Sequence, residues 1–178
     1  MTTAPALTLS SFAATDLSTH LQELGALLHA CVHDGASIGF VLPFNADQSE
    51  AFWTSNVLPA VQAGTRMLLV ARQEGEIAGS VQLDYDTMPN QPHRAEVRKL
   101  LVHPAWRRRG IARALMAELE RSARELGRSL LTLDTRTGDQ AEPLYASLGY
   151  RIVGVIPGYC LDTVEDRLDS TTVMYKTL

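Results

Sequence analysis

The chain has 178 residues and a formal net charge of −4, with 46% of its residues hydrophobic and 20% charged. That is the length of one domain with enough apolar residues for a core, which excludes intrinsic disorder and periodic solenoid architectures. No apolar run reaches the roughly 18–20 residues of a membrane span. No Lys or Arg precedes the mildly apolar opening stretch, so a single cytoplasmic domain over residues 1–178, without a leader, is expected.

In chain order, residues 6–12 alternate as a first strand. Leu17, Leu21, Leu24, Leu27 and Leu28 then recur at helical spacing, and residues 33–40, with Gly35 and Gly39, break the pattern. His29 and His33 share a helix face at i, i+4, a spacing that can grip a metal. Neither an HExxH pattern nor a carboxylate third ligand accompanies them, so an amphipathic helix without metal is expected. Cys31 and Cys160 belong to no CxxC pair.

Asn45 can cap a second helix that carries Phe52, Trp53, Val57 and Val61 and closes at Gly64. Residues 66–72 and 77–85 read as strands joined through Glu74-Gly75, an antiparallel hairpin. A strand over 95–103 ends at Pro104, and Ile111, Leu115, Leu119, Ala123 and Leu126 mark one face of a helix over 109–126. A strand over 129–134, a short helix over 139–148 before Gly149, and closing strands over 150–156 and 171–175 complete the pattern. The polar interval 158–170 reads mostly as loop. The order β-α-α-β-β-β-α-β-α-β-β predicts the α/β class, a mixed sheet of about seven strands with helices on its faces.

Charge is unevenly placed. Between Arg94 and Arg113 lie seven basic residues against Glu96 alone, so this stretch is net +6 and the remainder −10. A concentrated cationic spot on an acidic protein suits a small anionic ligand better than a nucleic-acid track, whose affinity grows with the number of phosphates neutralised. Neither a nucleic-acid nor a membrane partner is expected.

Within that spot, Arg107-Arg108-Arg109-Gly110-Ile111-Ala112 lies between an apolar strand and an amphipathic helix. A turn entering a helix points unpaired N–H groups outward, and the helix dipole adds positive potential there. Gly110 and Ala112 keep the surface free of bulk, so a diphosphate can approach the backbone while neighbouring arginines supply charge-assisted hydrogen bonds. A solvated basic turn that merely opens a helix is the other reading. The motif is neither a P-loop nor a GxGxxG fingerprint.

Residues 95–116 together resemble the central motif of the GNAT acyltransferases, which carry Q/R-x-x-G-x-G/A at this junction. The resemblance extends to Asp134 and to residues 141–150, with Ala141, Tyr145, Gly149 and Tyr150 similar to the family's A-x-x-x-Y-x-x-x-G-F/Y segment. It implies a GNAT-like fold: a central, mostly antiparallel mixed sheet of about seven strands, helices on both faces, strands four and five splayed. It also implies acetyl-CoA as acetyl donor, its pyrophosphate held around Arg107, Arg108, Arg109, Gly110, Ile111, Ala112 and Arg113. The backbone of Leu100, Leu101 and Val102 would meet the acetyl carbonyl and pantetheine amides as an added strand would. The family's frequent asparagine near the short helix is absent, Gly138 standing about there. Residues 35–40, 95–97, 133–135 and 157–160 resemble a narrower branch of the family, the tabtoxin-resistance acetyltransferases, implying a resistance role.

Acetyl transfer to an amine needs the amine neutral and the departing thiolate protonated. Tyr145 stands where the family keeps a tyrosine beside the coenzyme sulfur, and a phenol stays protonated at neutral pH; the other reading is a core tyrosine. Glu96 is the candidate base, at a distance ahead of Arg107 similar to that of the catalytic glutamate in histone-acetylating relatives. Period two places it on the same side of its strand as Leu100. A salt bridge to Arg98 or Arg94 is the alternative reading. Asp134, at the end of its strand, is a second base or an anchor for a cationic amine. The expected reaction is direct acetylation of a primary amine of a small molecule, an amino-acid-like antimetabolite or toxin being one class, by a monomer or homodimer. Acetylation of a protein N-terminus or lysine, and a non-catalytic coenzyme-A-binding module, are the alternatives.

Overall fold

A computed structural model describes residues 6–178; residues 1–5, part of the stretch read for a leader, lie outside the described residues. One seven-stranded sheet organises the chain, with strands β1 (Thr8–Phe12), β2 (Arg66–Gln73), β3 (Glu76–Asp84), β4 (Arg94–Val102), β5 (Leu130–Arg136), β6 (Arg151–Leu161) and β7 (Leu168–Thr177). Their order is β1-β2-β3-β4-β5-β7-β6. Every neighbouring pair is antiparallel except β4–β5.

Helices cover both faces. On one lie α5 (Ile111–Glu125) and α6 (Ala141–Ser147), where Ile111, Leu115 and Leu119 pack on Leu83, Val97, Leu131 and Leu133. On the other lie α1 (Ala14–Thr19), α2 (Leu21–His33), α3 (Ala46–Phe52) and α4 (Leu58–Gln62), where Leu24, Leu28, Trp53 and Val57 pack on Leu68, Val70 and Leu101. None of the described helices is long and apolar enough to cross a membrane.

Local signals hold where neighbours in sequence decide the conformation. Glu74 (φ 56°) and Gly75 (φ 87°) both take the positive φ of a type I′ turn, whose twist suits the β2–β3 hairpin. Asn45 Oδ1 accepts from Gln48 N–H at 2.8 Å while Gln48 Oε1 accepts from Asn45 N–H at 2.9 Å, a reciprocal cap on α3.

Four details differ from the sequence reading. The first helix is two, α1 and α2, parted at His20, whose ring engages Glu23 at 2.7 Å. The second is interrupted by a π turn at Trp53–Val57, ahead of Pro59, which has no N–H to give the carbonyl four residues back. Leu126 caps α5 exposed, not on the core face. The interval 158–170 is mostly strand: the β6–β7 ladder continues through Cys160↔Asp169 and Leu161↔Leu168 beyond an irregularity that contains Pro157 and Gly158. Only residues 162–167 turn, closed by Asp162 Oδ1, which accepts from the N–H groups of Val164 (2.9 Å) and Glu165 (2.8 Å).

A bulge in β4 positions the site. Ser80 pairs with Leu101 and Gln82 with Arg98, so Lys99 and Leu100 together oppose Val81, and Lys99 takes φ 51°. The alternation therefore reverses. Ala95 and Val97 face α5, but so do Leu100 and Val102, while Leu101 joins the opposite core. Glu96 and Leu100 consequently lie on opposite faces, correcting the period-two expectation. Gly79 lets the bulge come close, since a Cβ there would meet Leu101 O at 2.6 Å.

Candidate functional site

β4 and β5 pair through three residues only: Arg94↔Leu130, Ala95↔Leu131 and Glu96↔Thr132. Beyond them β5 stays with β7, as in Asp134↔Val173 and Arg136↔Thr171, so the edge of β4 swings free. The strands part as a V, as the sequence reading expects. A cleft of about 770 Å³ follows the opening, lined by Leu100, Leu101 and Val102, by the N-terminus of α5, and by α6 with the turn before it.

At the mouth, Arg108 (φ 65°) and Gly110 (φ 80°) both take left-handed backbone where the chain turns into α5, the type of turn from which anion-binding concavities are built. The first bond into α5 runs from Ala114 N–H to Gly110 O at 3.0 Å, which leaves the amides of Ile111, Ala112 and Arg113 outside the helix ladder. A Cβ on Gly110 would meet no atom within 4 Å, so a side chain there enters open cleft. Arg107 donates Nε to Val102 O at 3.4 Å and pairs with Asp34. Arg113 Nη2 donates to Ser147 Oγ at 2.9 Å, linking α5 to α6. Arg109 does not line the cleft; its guanidinium stacks on Trp106, 4.7 Å from the ring centroid. Free amides at a 15-residue helix N-terminus, a bare glycine and flanking arginines fit a diphosphate.

At the branch point the chemistry divides between the two faces. Glu96 and Thr132 are paired and Asp134 lies two residues on, so all three share the face opposite Leu131 and Leu133. Glu96 Oε2 accepts from Arg98 Nη2 at 3.2 Å, the ion pair that the sequence offers as the alternative to a base. Asp134 is exposed, and its Oδ2 accepts from Thr171 Oγ1 at 2.9 Å. On the other face, Tyr145 is buried edge-on to Tyr150 with ring centroids 5.7 Å apart. Burial pushes its phenol pKa well above the ordinary value, and the charges of Asp134 and Asp139 add to the rise.

Sequence reasoning did not foresee the position of Lys99, which lies outside the cleft lining. The bulge turns it toward the loop after α2, where Nζ donates to Ile38 O at 2.5 Å and lies 5.7 Å from the centroids of both Phe40 and Phe52. Burial lowers its pKa, and nearby Arg98 adds to that while Asp134 and Glu96 oppose it. A lysine inside an apolar strand was the available signal. Asp34 was missed too, since its partner Arg107 is distant in sequence. The His29 and His33 rings stack at 4.0 Å, and His33 Nε2 meets Phe44 O at 2.7 Å. Among the described residues, no three His, Cys, Asp or Glu side chains are placed to hold a metal ion.

A parallel pair that opens after three residues, beside an anion cradle, is the architecture of an acyl-coenzyme-dependent transferase. Residues 40–150 match the acetyltransferase (GNAT) family, and the chain belongs to it. It is 35% identical over 125 residues to an uncharacterised N-acetyltransferase of Azospirillum brasilense, covering 69% of this chain and 72% of that one. A Pectobacterium atrosepticum acetyltransferase is 38% identical over 91 residues, 51% of this chain and 61% of its own length. In fold the chain is similar to yncA of Salmonella typhimurium, solved with its cofactor acetyl-CoA, at a TM-score of 0.76 and 20% identity, covering 97% of this chain and 94% of that one.

Proposed function

We propose that this chain, as one domain, is an acetyl-CoA-dependent N-acetyltransferase that modifies a primary amine of a small molecule by direct transfer in a ternary complex. The observation that carries the reading is the branch point itself. Tyr145 is buried on the α5 side of the sheet, and Glu96 and Asp134 lie on the opposite face of β4 and β5, with the diphosphate-sized turn at the mouth. None of the three lines the cleft itself, so their roles rest on the family motif. Bound acetyl-CoA supplies an acetyl group activated as a thioester. The amides of Ile111, Ala112 and Arg113, with Arg107 and Arg108, hold its pyrophosphate, and the free edge of Leu100 to Val102 holds its pantetheine amides. Glu96 takes the ammonium proton at a carboxylate oxygen, directly or through water. Asp134 anchors the cationic amine. Tyr145 keeps its proton at Oη through neutral pH and donates it at the sulfur end of the cleft.

The resemblance of residues 35–40 and 157–160 to the tabtoxin-resistance branch supports an amino-acid-like acceptor and a resistance role. These segments meet in space, Ser37 Oγ lying 3.8 Å from Cys160 Sγ, beside the loop that Lys99 secures. The test is thiol release from acetyl-CoA across amino acids, dipeptides, polyamines and longer peptides. Turnover confined to small amino-acid-like amines is expected. Preference for long peptides would refute the acceptor class, and coenzyme binding without turnover on any amine would refute the enzyme.

A further inference from the structure

Polar side chains cross three strands on the sheet face turned away from α5. The register sets Arg66 opposite Asp84, Asp84 opposite Glu96, and Gln82 opposite Arg98, and residues directly opposite share a face. Arg94, two residues before Glu96, joins them and donates Nη1 to Thr132 Oγ1 at 3.2 Å. The bulge then adds Lys99, which regular alternation would send to the α5 side and which instead meets Phe40 and Phe52 of the other core. These four cations share one shelf with the carboxylates of Asp84, Glu96 and Asp134.

The carboxylates of the shelf have partners. Asp84 Oδ2 lies 2.7 Å from Arg66 Nη2 and 3.4 Å from Arg98 Nε. Glu96 Oε2 accepts from Arg98 Nη2, and Asp134 Oδ2 accepts from Thr171 Oγ1. The donors are not all matched. Arg94 is engaged by Gln91 and Thr132, and Lys99 by Ile38 O. Arg98 Nη1 has no partner among the described residues, and the side chain is 44% exposed. Two buried donors of the same row, Gln82 Nε2 and Arg66 Nε, are also without a partner. What this face lacks is an anion.

We propose that Arg98 is a specificity-determining residue that holds a carboxylate of the acceptor, so that amines carrying an acid group are preferred. The inference rests on the transferase reading above and adds the acceptor's second charged group. Glu96 and Arg98 stand two residues apart on one strand face, roughly 6.5 Å along the strand. A zwitterion can therefore put its ammonium at Glu96 and its carboxylate on the guanidinium, through charge-assisted hydrogen bonds. Arg98 is the nearer of the two to the free edge at Leu100. Lys99, fixed by Ile38 O, adds positive potential beside it. An amine without an acid group leaves Nη1 unpaired, and a polyamine brings a second positive charge to the cations.

Thiol release from acetyl-CoA tests the proposal with L-lysine against L-lysinamide, L-methionine against L-methioninamide, and cadaverine as the amine without an acid group. A carboxamide keeps the shape and removes the charge. The unmodified chain is expected to favour the acid of a pair by roughly tenfold or more in kcat/KM. Arg98→Gln should raise KM for the acids roughly 10- to 100-fold, while KM for the amides and for acetyl-CoA changes little. Arg98→Lys, which keeps the charge, should retain part of the preference. An arginine that merely supports Glu96 or Asp84 would lower acid and amide alike in both variants, so the acid-to-amide ratio separates the roles. An equal preference in the unmodified chain, or an unchanged ratio in Arg98→Gln, overturns the carboxylate contact and leaves the transferase standing. Should Arg98→Gln fail to fold, the ratio in the unmodified chain and in Arg98→Lys decides. Turnover of no amine at all, across these and the panel above, overturns the transferase reading itself.

Discussion

Replacing Gly110 tests the cradle because its two effects separate. Its φ of 80° disfavours any side chain, whereas its Cβ position meets no atom within 4 Å. Gly110→Leu therefore loses roughly 1 kcal/mol of backbone compatibility but meets no clash. At this chain length that lowers the melting temperature by roughly 2–4 °C. Coenzyme A at about a hundred times its dissociation constant stabilises the unmodified protein by about 2.7 kcal/mol, a rise of roughly 5–10 °C. The leucine occupies the space that the Ile111–Arg113 amides face, so the rise is expected to shrink to about 1 °C or less at the same ligand concentration. Gly64 is the control: its φ is 69°, nothing lies within 4 Å of its Cβ, and it follows α4, outside the cleft lining. Gly64→Leu should lower the melting temperature comparably and keep the full ligand-induced rise. Scanning calorimetry with and without coenzyme A measures all five quantities. An undiminished ligand-induced rise in Gly110→Leu, or an equally diminished ligand-induced rise in Gly64→Leu, refutes the cradle.

Tyr145→Phe should bind coenzyme A normally and turn over roughly 10²–10⁴-fold more slowly in steady-state assays. Its stability should hold, since the hydroxyl has no hydrogen-bond partner among the described residues. Glu96→Gln should lose most rate at mild pH and recover partly as pH rises and the acceptor arrives neutral; Asp134→Asn should mainly raise KM for the amine. Wild-type pH–rate profiles in both variants would remove the carboxylates from the mechanism. Gly79→Ala should destabilise the fold by roughly 1–3 kcal/mol in denaturant titrations, because its methyl group meets Leu101 O at 2.6 Å. Burial pushes the Cys31 thiol up to about 11, against the partial relief of nearby Arg107. About one Cys31 in ten thousand is then thiolate at pH 7, so mass spectrometry after brief alkylation should find label on half-buried Cys160 alone.

Much of this protein is written in neighbouring residues. The Glu74-Gly75 turn, the Asn45 cap, the apolar stripe of α5 and the Gly110 entry to that helix are decided within a few positions, and sequence reading finds them. The order of strands and helices, and with it the sheet, follows from these local periods. The arginine cluster and Tyr145 are legible because the family motif is contiguous. What depends on distant partners is not. The bulge at Lys99 exists because β3 approaches β4 through Gly79, and it reverses the faces of Leu100 and Leu101 after an unbroken alternation from Ala95. The same bulge turns Lys99 to Ile38, 61 residues away in sequence. Asp34 reaches Arg107 across 73 residues. The extension of β6 and β7 through polar residues rests on cross-strand pairing, which no run of single-strand propensity records. Sequence alone thus specifies the elements and the family chemistry, while the faces those residues present are settled only when strands pair, because one extra residue in a ladder exchanges inside for outside.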